Sequence, residues 1–343
     1  MVSKRVQSSI FNSEVVEGSA WKRWLMTLLA SVLLGTGLVW LFVIILDPFS
    51  TGRLTPLKRI DITIGPRGYT HAGRLRDPRF DAAIFGNSHA YRLEPARLGA
   101  ATGRHFVQLA MGKTYPAEHM FLAHRFELER RGKNILLVMV LDDWWCSPAR
   151  TTPDDGVEVP RWLYESSNFA YARGLFSQVA YNAALYRLWI LLGLVESGSR
   201  ADGYDPDPWA PFDVPKLRRE MAVMHRPTDA PDPGNPFPFL DDLAGEIAQF
   251  DPQTSVLLMF PPVFAGFLPA PGSRAEARFS ACTDRVQQIV NARPGMGYLN
   301  LRVDDASTRD VNRFVEVTHY DEATARAIVP KIAAAILHMA SSN

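Results

Sequence analysis

The longest apolar stretch of the chain lies near its start: Trp24 to Leu46 carries no charged residue. As a helix it is long enough to cross the roughly 30 Å hydrocarbon layer of a bilayer. Lys22 and Arg23 precede it, and Trp21, Trp24 and Trp40 suit the membrane–water interfaces. A cleaved signal peptide would have a shorter apolar region and a small-x-small site, and no such site occurs before Asp47-Pro48-Phe49. The length and lack of charge also count against a core helix. The pattern predicts a polar cytoplasmic tail over 1–20 and an uncleaved transmembrane anchor over 21–47. Lys4, Arg5, Lys22 and Arg23 lie before the span, and Arg53, Lys58 and Arg59 soon after it. This balance leans only towards an N-terminus inside and a large extracytoplasmic domain.

Residues 48–78 mix Pro, Gly and Arg without periodicity and read as a linker. From 79 to 343 the pattern is that of one folded domain. Short apolar runs recur at Phe80–Gly86, His105–Leu109, Asn134–Leu141, Ser255–Phe260 and Tyr298–Val303. The run over 134–141 is apolar at every position after its first, which suits a central parallel strand covered on both faces. Helical segments are expected between the runs and after the last, at about 93–102, 116–131, 240–250, 275–291 and 321–339. Thr114 reads as an N-cap with Pro116 in the first turn, and Asp321 as the cap of the final helix. Strands alternating with helices predict an α/β fold, a three-layer sandwich around a parallel sheet of about five strands.

Residues from about 147 to 250 read as a helical insertion. Tyr171 to Val195 is apolar and aromatic but contains Arg173, Gln178, Asn182 and Arg187. It reads as an amphipathic helix or helix pair packed on the core. The rival reading, a second span, would put Asn182 and Arg187 in lipid at high cost. Residues 198–238 are dense in Pro, Asp and Gly and read as a long loop of the kind that carries function.

Composition removes several classes. With 343 residues and 47% apolar content the chain can bury a full core. Its 37 basic and 36 acidic residues leave no electrostatic case for nucleic acid. The eight histidines form no HExxH pair and the two cysteines no CxxC, so neither a metal site nor a cofactor is expected. Cys146 and Cys282 can pair in an oxidising compartment if the fold brings them together. No P-loop or dinucleotide glycine fingerprint is present.

Candidate chemistry starts at Phe85-Gly86-Asn87-Ser88-His89. A β-prone run, a glycine turn, a serine and then a helix would present the Ser88 hydroxyl at the carboxyl edge of a sheet. The plainer reading is a turn serine capping a helix. Far along the chain, Glu316-Val317-Thr318-His319 places a carboxylate three residues before a histidine. Glu316 can fold back onto Nδ1 and leave Nε2 to take a proton from a serine. A merely exposed histidine at a helix start would be opposed by the helix dipole. Neighbours on a nucleophile turn point apart, so His89 is expected either to line the rim of the cleft or to pack. Asp142, Asp143, Trp144 and Trp145 follow the third strand and can border the same cleft; packing is the commoner use of the tryptophans. Ala90 replaces the second glycine of a G-x-S-x-G elbow, which counts against an α/β-hydrolase.

Taken in order, these blocks resemble the SGNH (GDSL-type) hydrolase and acyltransferase superfamily over about 80–340. Gly86-Asn87-Ser88 stands where that family has Gly-Asp-Ser, and Gly112 where it has its oxyanion glycine. Asp142-Asp143 stands for Gly-x-Asn-Asp, and Glu316-x-x-His319 for Asp-x-x-His. The layout is most similar to membrane-anchored members that modify cell-surface polymers. The resemblance implies an SGNH/flavodoxin-like sheet, Ser88 as nucleophile, His319 as base and Glu316 as its orienting carboxylate. The Ser88 and Gly112 N–H groups would hold the oxyanion, with Asn87, His89, Asp142, Asp143 and Trp144 about the cleft. One departure bears on chemistry: Asp142 replaces the asparagine that donates to the oxyanion, and an ionised carboxylate cannot donate.

The expectation is a single-pass membrane protein with an extracytoplasmic serine esterase or O-acyl (acetyl) transferase domain. In a Gram-negative cell it would lie on the periplasmic side of the inner membrane. The expected partners are an acylated glycan or polysaccharide, the bilayer through the N-terminal helix, and proteins of an envelope complex. The alternative is a non-catalytic protein of a polymer export or modification complex that binds glycan or a partner in the same cleft. A lipase working at the membrane is a third reading, and it would need an apolar funnel.

Overall fold

The computed structural model describes residues 18–55, 60, 67–150, 156–198, 200–206 and 213–341. Of the tail expected over 1–20, all but the last three residues lie outside these. The helices are α1 (Gly18–Leu46), α2 (Arg67–Leu75), α3 (Pro95–Thr102), α4 (Pro116–Leu128), α5 (Asn168–Gly174), α6 (Gln178–Leu191), α7 (Val214–Ala222), α8 (Pro238–Ile247), α9 (Arg274–Asn291), α10 (Ala306–Arg309) and α11 (Glu322–Ser341). The strands are β1 (Ala82–Phe85), β2 (Phe106–Gln108), β3 (Ile135–Val140), β4 (Thr254–Phe260), β5 (Met296–Asn300), β6 (Phe314–Glu316) and β7 (His319–Tyr320).

The first five strands form one parallel sheet in the order β2-β1-β3-β4-β5. Successive side chains on a strand face opposite ways. Phe85, Leu137, Met139, Leu258 and Phe260 accordingly join Leu75 of α2, Phe126 of α4, Leu243 of α8 and Val286 of α9 in one core. Ile84, Val138, Val140, Leu257 and Met259 join Leu98 of α3 and Ile328, Ile332 and Ile336 of α11 in the other. This is the expected three-layer α/β arrangement. The chain leaves β1 towards the α3 layer and β3 towards the α8 layer, which opens a switch point between their carboxyl ends.

The structure differs from the sequence expectation in several places. Within the expected linker, α2 packs on the sheet with His71, Ala72 and Leu75 fully buried. Its buried face includes Gly68, Thr70, His71 and Arg74, so it leaves no apolar period to read. His71 Nε2 meets the Ala110 carbonyl at 3.0 Å, which satisfies one of those polar groups. The insertion ends earlier than expected, because α8 is the crossover from β3 to β4. The expected loop over 198–238 contains α7, which packs on β6. The last sheet strand lies at Met296–Asn300, two residues before the expected start. Thr114 does not cap α4; Tyr115 holds that position, and the Thr114 hydroxyl donates to the Met111 carbonyl at 2.5 Å. Asp321 does cap α11, accepting the Thr324 N–H at 2.7 Å. Cys146, after β3, and Cys282, on α9, form a disulfide.

Candidate functional site

Gly86 ends β1 at φ +150°, a conformation that L side chains rarely adopt. A Cβ there would lie 3.0 Å from Val140 Cβ and 3.1 Å from Val140 O, so the turn passes directly over the end of β3. Asn87 caps the next turn by accepting the His89 N–H at 3.0 Å. Ser88 then opens a one-turn 3-10 helix, Ser88–Ala90. These choices bring the Ser88 hydroxyl to the switch point.

Glu316 and His319 face each other across the β6–β7 hairpin, an element not read from the sequence. The Glu316 carboxylate accepts the Thr318 N–H at 3.0 Å, the Thr318 hydroxyl at 2.6 Å and the His319 Nδ1–H. His319 Nε2 lies 2.8 Å from Ser88 Oγ, across 231 positions of sequence. Two contacts hold the hairpin, one to the serine turn and one to the loop after β4. The buried Tyr320 hydroxyl donates to the His89 carbonyl at 2.8 Å, and the Phe264 N–H donates to Val317 O at 2.9 Å. The three residues Ser88, His319 and Glu316 therefore form one hydrogen-bonded line.

Burial opposes ionisation of Glu316, but the hydrogen bonds and charge of His319 and the bonds from Thr318 outweigh it and hold the carboxyl at about 2. Its negative charge is in place to stabilise a proton taken up by His319. His89 is different. Burial, then the proximity of His319 and Arg302, lower it to about 3, so it is neutral. Its ring lies 5.1 Å from that of His319 and packs against it edge-on. It borders His319 and does not lie on the line from Ser88 to Glu316.

The remaining expected site residues divide. Asn87 Nδ2 donates to Asp142 Oδ2, and Asp142 Oδ1 accepts the Trp144 N–H at 3.1 Å. Burial and then Asp143 raise Asp142 to about 7. Asp143 pairs with Arg302, whose side chain is buried. Trp144 is partly exposed and packs edge-on against Tyr115, whereas Trp145 is fully buried core. The Gly112 N–H already donates to the Tyr91 hydroxyl. A Cβ on Gly112 would lie 2.8 Å from that oxygen, so glycine permits the approach. A carbonyl oxygen seeking this N–H would have to displace the phenol. The Ser88 N–H, by contrast, donates to no acceptor among the described residues.

Tyr320, Tyr91, Thr318 and Arg302 were not anticipated. Tyr320 and Thr318 flank or adjoin the anticipated histidine, and that adjacency is their only signal. No protein-family model matches the chain, and no curated protein matches it.

Proposed function

We propose that this is a membrane-anchored serine esterase or O-acyltransferase that works through an acyl-enzyme on Ser88. The observation that carries the proposal is the line Ser88 Oγ–His319 Nε2–Glu316, with its 2.8 Å serine–histidine contact. His319 accepts the hydroxyl proton at Nε2 as Oγ attacks an acyl carbonyl. Glu316 fixes Nδ1–H and stabilises the imidazolium. The Ser88 N–H is positioned at the start of a turn to receive charge on the carbonyl oxygen. His319 then returns the proton to the departing alcohol as the C–O bond breaks. Water or a second hydroxyl, deprotonated by His319, releases the acyl group and restores the serine.

An N-terminal helix over Ala20–Leu46 is long and apolar enough to span a membrane. The Cys146–Cys282 disulfide supports placing the domain in an oxidising, extracytoplasmic compartment. The resemblance to polymer-modifying SGNH proteins is what suggests an acylated glycan or polysaccharide as substrate.

A second reading, a non-catalytic protein that binds glycan or a partner, is favoured by the engaged Gly112 N–H and by a carboxyl at Asp142. The test is p-nitrophenyl acetate turnover by the detergent-solubilised full chain and by Ser88→Ala. The esterase reading expects turnover above buffer that the variant loses. Equal turnover by both would remove Ser88 as nucleophile. No turnover of this ester or of acetylated glycans would leave the binding reading in possession.

A further inference from the structure

In α1, the uncharged residues Trp24 to Leu41 are exposed, 18 residues or about 27 Å at 1.5 Å per residue. That is close to the hydrocarbon thickness of a bilayer. Past Leu41 the same helix enters the protein, with Val43 and Leu46 buried. Trp40 therefore marks the boundary on the domain side, a depth that tryptophan favours.

The α5–α6 pair is built around this boundary. Asn168, at the start of α5, accepts from Arg53 at 2.9 Å. The Tyr171 hydroxyl accepts from Thr51 at 2.7 Å and donates to Asp47 at 3.0 Å. Next, the Ala172 carbonyl accepts the Trp40 indole N–H at 2.8 Å. As α5 proceeds, its partners thus step back along the chain from 53 to 40, so it descends towards the membrane. Leu175 and Phe176 then line a crevice of about 270 Å³ with Val39, Trp40 and Val43. The return begins with Gln178 and Tyr181 in the same crevice, and Arg187 climbs back to donate to the Asp47 carbonyl at 2.9 Å. The connecting turn is the lowest point of the pair, level with Val39–Val43. Phe176 lies on that turn and is 63% exposed.

We propose that the α5–α6 turn is a second membrane contact, with Phe176 seated in lipid at the headgroup–acyl boundary beside Trp40. The proposal rests on reading α1 as a membrane span. Lipid is the occupant because the turn continues the exposed apolar surface of α1 at the depth where that helix leaves the bilayer. An aromatic ring is suited to this zone. With α1 bonded to α5 and α6 on the protein side, two contacts would fix the height and tilt of the Ser88 domain. The domain would not swivel on a single flexible tether.

The native cysteines are both in the disulfide, so one introduced cysteine can carry an environment-sensitive NBD label. Phe176→Cys and Leu33→Cys, both at exposed positions, would be labelled in the full chain and reconstituted in phosphatidylcholine–phosphatidylglycerol vesicles. Nitroxide lipids would carry the quencher either near the headgroup or deep in the acyl chain. The proposal expects blue-shifted emission at Phe176, most of it lost to the shallow quencher, and emission at Leu33 lost to the deep one. A water-like, unquenched label at Phe176 with Leu33 in lipid would overturn the contact and leave the span standing. A blue-shifted but unquenched Phe176 label would mean that protein covers the turn, and would also overturn it. If neither label is quenched, the span reading fails and the proposal with it.

Discussion

Replacing Asp142 by asparagine should change how stability depends on pH. Asp142 is 2% exposed at the end of β3. Burial and then Asp143 raise its carboxyl from 3.8 to about 7, against Arg302 and the N–H groups of Trp144 and Trp145. Between these limits the folded chain keeps a proton that the unfolded chain has lost. Stability then falls as pH rises through this window and stays at the lower level above it. Three pH units at about 1.4 kcal/mol each come to roughly 4 kcal/mol, an upper figure because site relaxation reduces it.

Asparagine has no proton to lose there. Its oxygen can accept the Trp144 N–H, but its NH₂ would meet the NH₂ of Asn87, at a pH-independent cost of about 1–3 kcal/mol. The signature is therefore the slope of the difference and not its offset. Relative to the native chain, Asp142→Asn should gain stability from about pH 4 to about pH 7 and then level off. Urea unfolding of the solubilised full chain, followed by tryptophan fluorescence, measures this. The double exchange Asn87→Asp with Asp142→Asn restores the amide–carboxylate contact and should recover the offset. A difference between Asp142→Asn and the native chain that stays constant from about pH 4 to about pH 8 would refute the reasoning, since Asp142 would then titrate alike folded and unfolded.

Three further substitutions test the same geometry. Glu316→Gln keeps the shape of the hairpin but removes the charge behind His319, so kcat for an ester should fall about 10³–10⁴-fold with little change in KM. Because the Glu316 carboxyl is held at about 2, its contribution to stability is full above its ordinary value of 4.5 and lost as pH falls towards 2; acid unfolding of the two chains should converge there. Tyr320→Phe removes the bond to the His89 carbonyl and should lower kcat about tenfold at unchanged KM, with about 1 kcal/mol lost in urea unfolding; unchanged kcat would deny Tyr320 a positioning role. Replacing both Cys146 and Cys282 by alanine opens a link across 136 residues and should cost about 2–4 kcal/mol, read from the urea midpoint of the same chain.

The parts of this fold visible in the sequence are those where physics demands a regular signal. A parallel strand covered on both faces must be apolar almost throughout, and the runs that became β1, β3 and β4 show it. The turn at Gly86 needs a residue that tolerates φ +150°, which is why glycine announces the serine that follows. A carboxylate three residues before a histidine fits a two-residue hairpin turn, and that is how Glu316 reaches Nδ1 of His319. What stayed hidden depends on contacts without a period. The buried face of α2 carries Thr70, His71 and Arg74, and the hydroxyl of Tyr91 reaches forward 21 positions to the Gly112 N–H. The oxyanion arrangement expected from the resemblance could not anticipate that bond. Asn87 and Asp142 show the limit most clearly. Read singly, each is a departure from the motifs the sequence resembles, an amide where those have a carboxylate and a carboxylate where they have an amide. The fold brings the two side chains into contact, so the departures are complementary. The carboxyl lies on the β3 side of the switch point, where burial raises it to about 7, and the amide lies on the turn, where its oxygen caps His89. If Ser88 is the nucleophile proposed, the Ser88 N–H and this Asn87–Asp142 pair, and not an asparagine after β3, are the polar groups at the end of β1 and β3 that an oxyanion would meet.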